Sequence, residues 1–118
     1  EQLGANKTIS TVLGEIVWLM TQSKEHRALP IAALDTLVMP AILMRRFRLF
    51  YQGEAPAAAV IYATLSADAA ARFDADGAGA LKPDDWISGV VVRVVATIAP
   101  FGFAEKFEVE TKQTLGVV

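Results

Sequence analysis

Arg46-Phe47-Arg48-Leu49-Phe50-Tyr51-Gln52-Gly53-Glu54-Ala55-Pro56-Ala57-Ala58-Ala59-Val60-Ile61-Tyr62-Ala63 is the segment on which the fold class turns. Phe47, Leu49 and Tyr51 alternate with Arg46 and Arg48, the period of a half-buried strand. Gln52-Gly53-Glu54 supplies a turn, and Ala57 to Ala63 reads as the returning strand of an antiparallel hairpin. Pro56 belongs at the start of that strand, where no ladder donor is needed. A hairpin with helical patterns on either side of it is an α+β arrangement.

On the N-terminal side, Ile9, Val12, Leu13, Ile16, Val17, Leu19 and Met20 recur at helical spacing, which predicts a helix over residues 8–22 with one buried face. Thr8 is its expected N-cap. A second helix is expected from Pro30 to Met39, with Pro30 in the first turn, Pro40 as the stop and Asp35 on the solvent face. On the C-terminal side, Ser66 caps an alanine-rich helix reaching Phe73, followed by an acidic, glycine-rich loop from Asp74 to Asp85. Val90 to Ile98 is rich in β-branched residues and reads as the central strand, ended by Pro100-Phe101-Gly102. Alternating Phe107, Val109 and Thr111 give residues 106–118 the pattern of a weak edge strand or a frayed tail.

The 118 residues suffice for one domain with a real core, so residues 1–118 are read as a single domain. Hydrophobic content of 53% with 20% charged residues argues against disorder, and a net charge of −2 gives no basic field for nucleic acid or anionic membrane. With no cysteine and one histidine, disulfides, thiolate catalysis and multi-histidine metal sites are excluded within the chain. Residues 1–7 show no charged start running into an apolar stretch, so no leader is expected. The longest apolar run is broken by Ser88, Arg93 and Pro100, so no membrane span is expected either and the chain reads as soluble.

Three patterns bear on chemistry. His26, the sole histidine, lies just beyond the first helix and is the one side chain that exchanges protons near neutral pH. Asp74, Asp76 and Asp85 fall at positions one, three and twelve of a loop with Gly79 at six, an echo of a calcium-binding EF-hand loop. Ala78 at position five offers no ligand, and the alternative is a solvated acidic turn. Arg45, Arg46 and Arg48 form a basic cluster able to dock a phosphate or an acidic partner, or simply a solvated strand face. There is no Gly-x-Ser-x-Gly elbow and no glycine-rich phosphate loop.

Four landmarks in order carry a resemblance: Val17-Trp18-Leu19; Ser23-x-x-His26-Arg27-x-x-Pro30; Met39-Pro40-Ala41-Ile42; and Asp85-Trp86-x-Ser88-Gly89 followed by Ile98-Ala99-Pro100-Phe101-Gly102. In this order and spacing the chain resembles the toxin-activating lysine acyltransferases, which activate RTX toxins such as haemolysin, over residues 13–102. The resemblance implies a cytoplasmic protein with an N-acetyltransferase-like fold, N-terminal helices packed on a mainly antiparallel sheet. It also implies transfer of a fatty acyl group from acyl carrier protein, the acyl donor in place of a bound cofactor, to a lysine of a toxin-like protein acceptor. The family's catalytic histidine falls on His26 and its motif serine on Ser23. Chemically, a neutral imidazole takes the proton from a lysine amine as it attacks a thioester, and Ser23 orients the ring or bonds the developing oxyanion. Arg27, Arg45, Arg46 and Arg48 are the candidates to receive the acidic carrier, provided they share a surface.

The chain also departs from the family. The catalytic aspartate position falls on Ala96 and a second acidic position on Val90, while family tryptophans fall on Leu29 and Tyr62. Strand alternation places Val90, Val92, Val94, Ala96 and Ile98 on one apolar face. Asp84, Asp85 and Glu25 are the acidic residues left to stand in. Asp85 is expected to hold its loop through backbone hydrogen bonds, and Trp18, Trp86 and Phe101 to be core or turn anchors. The alternative to an acyltransferase is a catalytically impaired relative that binds acyl carrier protein, an acyl chain or a partner protein. A short apolar domain with free strand edges is also expected to form a homodimer.

Overall fold

Thr8 caps the first helix as its sequence position predicts: its side chain accepts from the Thr11 backbone N–H at 3.1 Å, and helix α1 spans Ile9–Gln22. The computed structural model describes residues 7–116. The reading of residues 1–6 as lacking a leader, and the last two residues of the tail, lie outside the described residues. From α1, Val12, Ile16, Leu19 and Met20 are buried, whereas Ile9 is half exposed.

The second helix differs from expectation. A π-helical turn over Leu34–Val38 runs directly into the short helix α2 (Met39–Leu43), so Pro40 lies inside the helical run instead of ending it. The Met39 N–H bonds five residues back to the Leu34 carbonyl, and Pro40 occupies the first turn of α2, where a missing N–H costs little. Asp35 is exposed, as expected.

Strands β1 (Phe47–Gln52) and β2 (Ala55–Leu65) form the hairpin, with Gln52 opposite Ala55 across a two-residue turn in which Gly53 takes φ +64. Strand β3 (Val91–Ile98) pairs antiparallel with β2, giving the order β1-β2-β3. The central strand is therefore β2 and not the valine-rich β3. Every residue of β2 from Ala58 to Ala63 is buried, because small alanines let packed elements close on both faces. One face carries Ala59, Ile61, Ala63 and Leu65 under α1 and α2, with Trp86; the other carries Ala58 and Val60 with Phe50.

A bulge corrects the expected one-sided β3. Ile61 pairs with Ala96 and Tyr62 with Val94, which leaves Val95 as the extra residue. The strand then changes sides: Ala96 and Ile98 face the α1 core, while Val94 packs with Phe50 and Val60. Val90 precedes the strand and is 90% exposed.

Ser66 caps helix α3 (Ala67–Asp76), which outruns its predicted end by three residues before Gly77 closes it at φ +80. Short 3₁₀ turns at Ala78–Ala80 and Pro83–Trp86 follow. The residues after Gly102 form a helix, α4 (Ala104–Thr114), and not an edge strand. Their alternation misleads because Phe107, Thr111 and Thr114 also recur at helical spacing. That face covers the second side of the sheet, with the Phe107 and Phe50 rings 4.5 Å apart. The arrangement is thus α+β, a three-stranded antiparallel sheet with helices on both faces. Among the described residues no helix is long and apolar enough to cross a membrane.

Candidate active site

Helix α1 ends at Ser23, whose backbone N–H bonds the Met20 carbonyl at 3.1 Å. The Ser23 carbonyl in turn accepts from the backbone N–H groups of His26 and Arg27, at 3.1 and 2.9 Å. This turn brings the side chains of positions 23 and 26 together. Ser23 Oγ lies 2.7 Å from His26 Nδ1 and donates to Glu25 Oε1 at 3.3 Å, and Ser23 is only 2% exposed.

His26 stands at one side of a cleft of about 180 Å³ between the C-terminal half of α1 and the segment leading into the π turn. Val17, Met20, Leu29, Ile31 and Leu34 make the cleft apolar, and Arg27 adds a cation beside the imidazole. Desolvation pushes the His26 pKa below its ordinary value, opposed by the attraction of the Glu25 carboxylate. Burial therefore favours the neutral ring, the form able to accept a proton. Ile31 and Leu34 escaped the sequence reading as cleft residues. Their signal was an apolar pair whose partner face forms only when the 23–30 turn folds back on α1.

The basic cluster is not gathered at this cleft. Arg46 spends its guanidinium on Thr64 Oγ1 at 2.9 Å and the Met44 carbonyl at 3.1 Å. Arg48 bonds Thr114 Oγ1 of α4 at 2.7 Å and lies over the Phe50 ring. Both thus reinforce the fold, and Arg48 belongs to the α4 side of the sheet. Arg45 is exposed in a left-handed conformation at φ +56, and Arg27 alone of the four lines the His26 cleft.

The acidic loop does not converge on an ion. Asp74 sits in the last turns of α3 and pairs with Arg93 at 2.9 and 3.0 Å, while Asp85 pairs with Arg72 at 3.0 and 3.1 Å. Among the described residues no three acidic, histidine or cysteine side chains are grouped to hold a metal. Asp85 also accepts from the Lys82 backbone N–H at 2.8 Å, the loop-holding role expected of it, and these donors keep its carboxyl below the usual range. Ser88 Oγ accepts from the Ser66 N–H and donates to the Asp85 carbonyl, and Trp86 is buried. The Asp-Trp-x-Ser-Gly motif is therefore a clasp between α3 and β3. Trp18 is not a core anchor: it falls off the buried stripe of α1, is 43% exposed and stands 5.9 Å from the still more open Phe101 ring.

A family model described as the RTX toxin acyltransferase family matches residues 5–115. The chain belongs to the RTX toxin acyltransferase family. It is 36% identical over 91 residues to the RTX-II toxin-activating lysine-acyltransferase ApxIIC of Actinobacillus pleuropneumoniae, covering 77% of this chain and 56% of that protein. It is 34% identical to the protein-lysine myristoyltransferase RtxC of Kingella kingae, over 76% of this chain and 53% of the relative. The protein-lysine myristoyltransferase HlyC of Escherichia coli is 33% identical over 77% of this chain and 53% of its own length. The chain spans about half the length of the curated relatives it matches. Ala96, onto which the resemblance maps an aspartate, packs against the α1 core, and the other acidic candidates differ in place. Asp85 is occupied by Arg72, Asp84 is exposed, and Glu25 alone touches Ser23.

Proposed function

We propose that this chain carries the base of a protein-lysine acyltransferase that moves a fatty acyl group from acyl carrier protein to a lysine of a toxin-like protein. The observation that carries the reading is the 2.7 Å contact of Ser23 Oγ with His26 Nδ1 beside an apolar cleft, in a member of this family. In the reaction, His26 Nε2 takes the proton of the lysine ammonium's conjugate amine as its nitrogen attacks the thioester carbonyl. The C–N bond forms, the C–S bond breaks, and the imidazolium returns the proton to the departing thiolate. The apolar cleft suits the start of an acyl chain, and Arg27 at its edge suits an acidic carrier. The same proposal takes the fold as N-acetyltransferase-like, the setting as cytoplasmic and the working form as a homodimer, for which the open β3 edge and exposed Val90 speak.

Ala96 favours a second reading, an impaired relative that binds carrier or partner without turnover, since losing an orienting carboxylate costs about 10⁴ in rate in a serine protease. Long-chain acyl carrier protein is incubated with candidate lysine-containing acceptors and wild type or His26→Ala, and products are weighed by intact mass spectrometry. A matching mass gain on the acceptor, lost in His26→Ala, is expected. Stable carrier binding with no His26-dependent transfer would establish the second reading instead.

A further inference from the structure

Ser23 has one hydroxyl proton and two acceptors within reach, Glu25 Oε1 at 3.3 Å and His26 Nδ1 at 2.7 Å. The Nδ1 contact is the shorter of the two, but the ionised carboxylate attracts the hydroxyl proton by its charge even at 3.3 Å. If the hydroxyl proton goes to Glu25, the short contact to Nδ1 holds only when the ring nitrogen is itself protonated and donates to Oγ. Nδ1–H leaves Nε2 bare, with its lone pair free. If Glu25 is absent, Ser23 is free to donate to an unprotonated Nδ1, and the proton then sits on Nε2, where it blocks base chemistry. We propose that Glu25 is a positioning residue that, through Ser23, fixes His26 in the Nδ1–H tautomer and leaves Nε2 as the acceptor.

Three features support the assignment. Ser23 is buried, so water does not compete for its hydroxyl. Glu25 and His26 lie in the turn whose His26 and Arg27 backbone N–H groups bind the Ser23 carbonyl. The charged groups around the ring are Glu25 and the Arg27 of the same cleft, and only Glu25 bonds the serine. With alanine at position 96, this local relay supplies the orienting negative charge from the histidine's own turn.

The inference rests on His26 acting as base, yet its test does not. The chain has one histidine, so protein labelled with ¹⁵N-histidine gives one pair of ring nitrogen signals. Above the ring's titration, wild type is expected to show a protonated Nδ1 and a bare Nε2. In Glu25→Ala the ratio of Nδ1–H to Nε2–H is expected to fall about tenfold, with the amide spectrum otherwise retained because Glu25 is exposed. The titration midpoint should also drop, since the carboxylate's attraction is gone. Glu25→Gln keeps the size and removes the charge, and should reproduce the shift. A wild-type ring already in the Nε2–H form, or a ratio unmoved in Glu25→Ala, overturns the inference. In acyl transfer Glu25→Ala should lower kcat with the donor KM unchanged. A tautomer shift with transfer indifferent to His26→Ala would overturn the base reading alone, and His26-dependent transfer with an unmoved tautomer would overturn the Glu25 inference alone.

Discussion

The surroundings of His26 penalise its charge, and those of Asp85 favour its charge. Burial holds the His26 pKa below its ordinary 6.5, so the folded chain binds fewer protons than the unfolded chain between those two values. Stability should therefore rise with pH across that window and be lost as pH falls below 6.5. Urea midpoints measured against pH should show this slope in wild type and lose it in His26→Gln. Asp85 has the opposite cause and a lower window: the Arg72 and Lys82 bonds favour its anion, so its contribution is present above 3.8 and is lost as pH falls through the folded value. Asp85→Asn should remove that acid-side loss in the same titration. His26 was legible in the sequence as the sole histidine, and Ser23 only through the family resemblance. The contact between them was not, because it depends on the backbone turn hung from the Ser23 carbonyl.

Elements are joined here by a few close approaches that no hydropathy pattern encodes. A Cβ placed on Gly89 would lie 2.5 Å from the Leu65 carbonyl oxygen, and its nearest neighbours are all Leu65–Ser66 backbone, which leaves nothing soft to move. Gly89→Ala should cost about 1–3 kcal/mol, read as a lowered Tm, with β3 amides exchanging first. Helix α4 is held by Phe107 on Phe50 and by Arg48 on Thr114. Phe107→Ala should cost about 2–3 kcal/mol, less than for a fully buried ring, and should speed hydrogen exchange in α4 ahead of α1. The tail's helical character was hidden because Phe107, Val109 and Thr111 satisfy a period of two as well as neighbouring residues satisfy 3.6. The uncovered second face of the sheet settles the ambiguity in favour of the helix. The π turn was hidden for a similar reason: proline rules forecast a stop at Pro40, and a widened turn removes the need for one.

The molecule as a whole depends on one core shared by α1, α2, α3 and the sheet, with α4 closing a smaller cluster behind it. Leu19 is fully buried in the shared core, one turn from Ser23. Leu19→Ala should cost about 2–5 kcal/mol in chemical denaturation, and the His26 ring signals should broaden together with those of α1. Local composition was enough to establish the amphipathic first helix, the hairpin and the capped third helix, because each rests on residues close together in the chain, whereas Ser23 was joined to His26 only by the family resemblance. Strand order, the bulge that turns Ala96 toward the core, the placing of Arg48 under α4 and the cleft beside His26 depend on residues far apart. A valine-rich strand reads as central wherever it ends up, and an arginine reads as exposed until a helix is laid over it. Such choices follow from which surfaces remain to be covered once the local elements have formed.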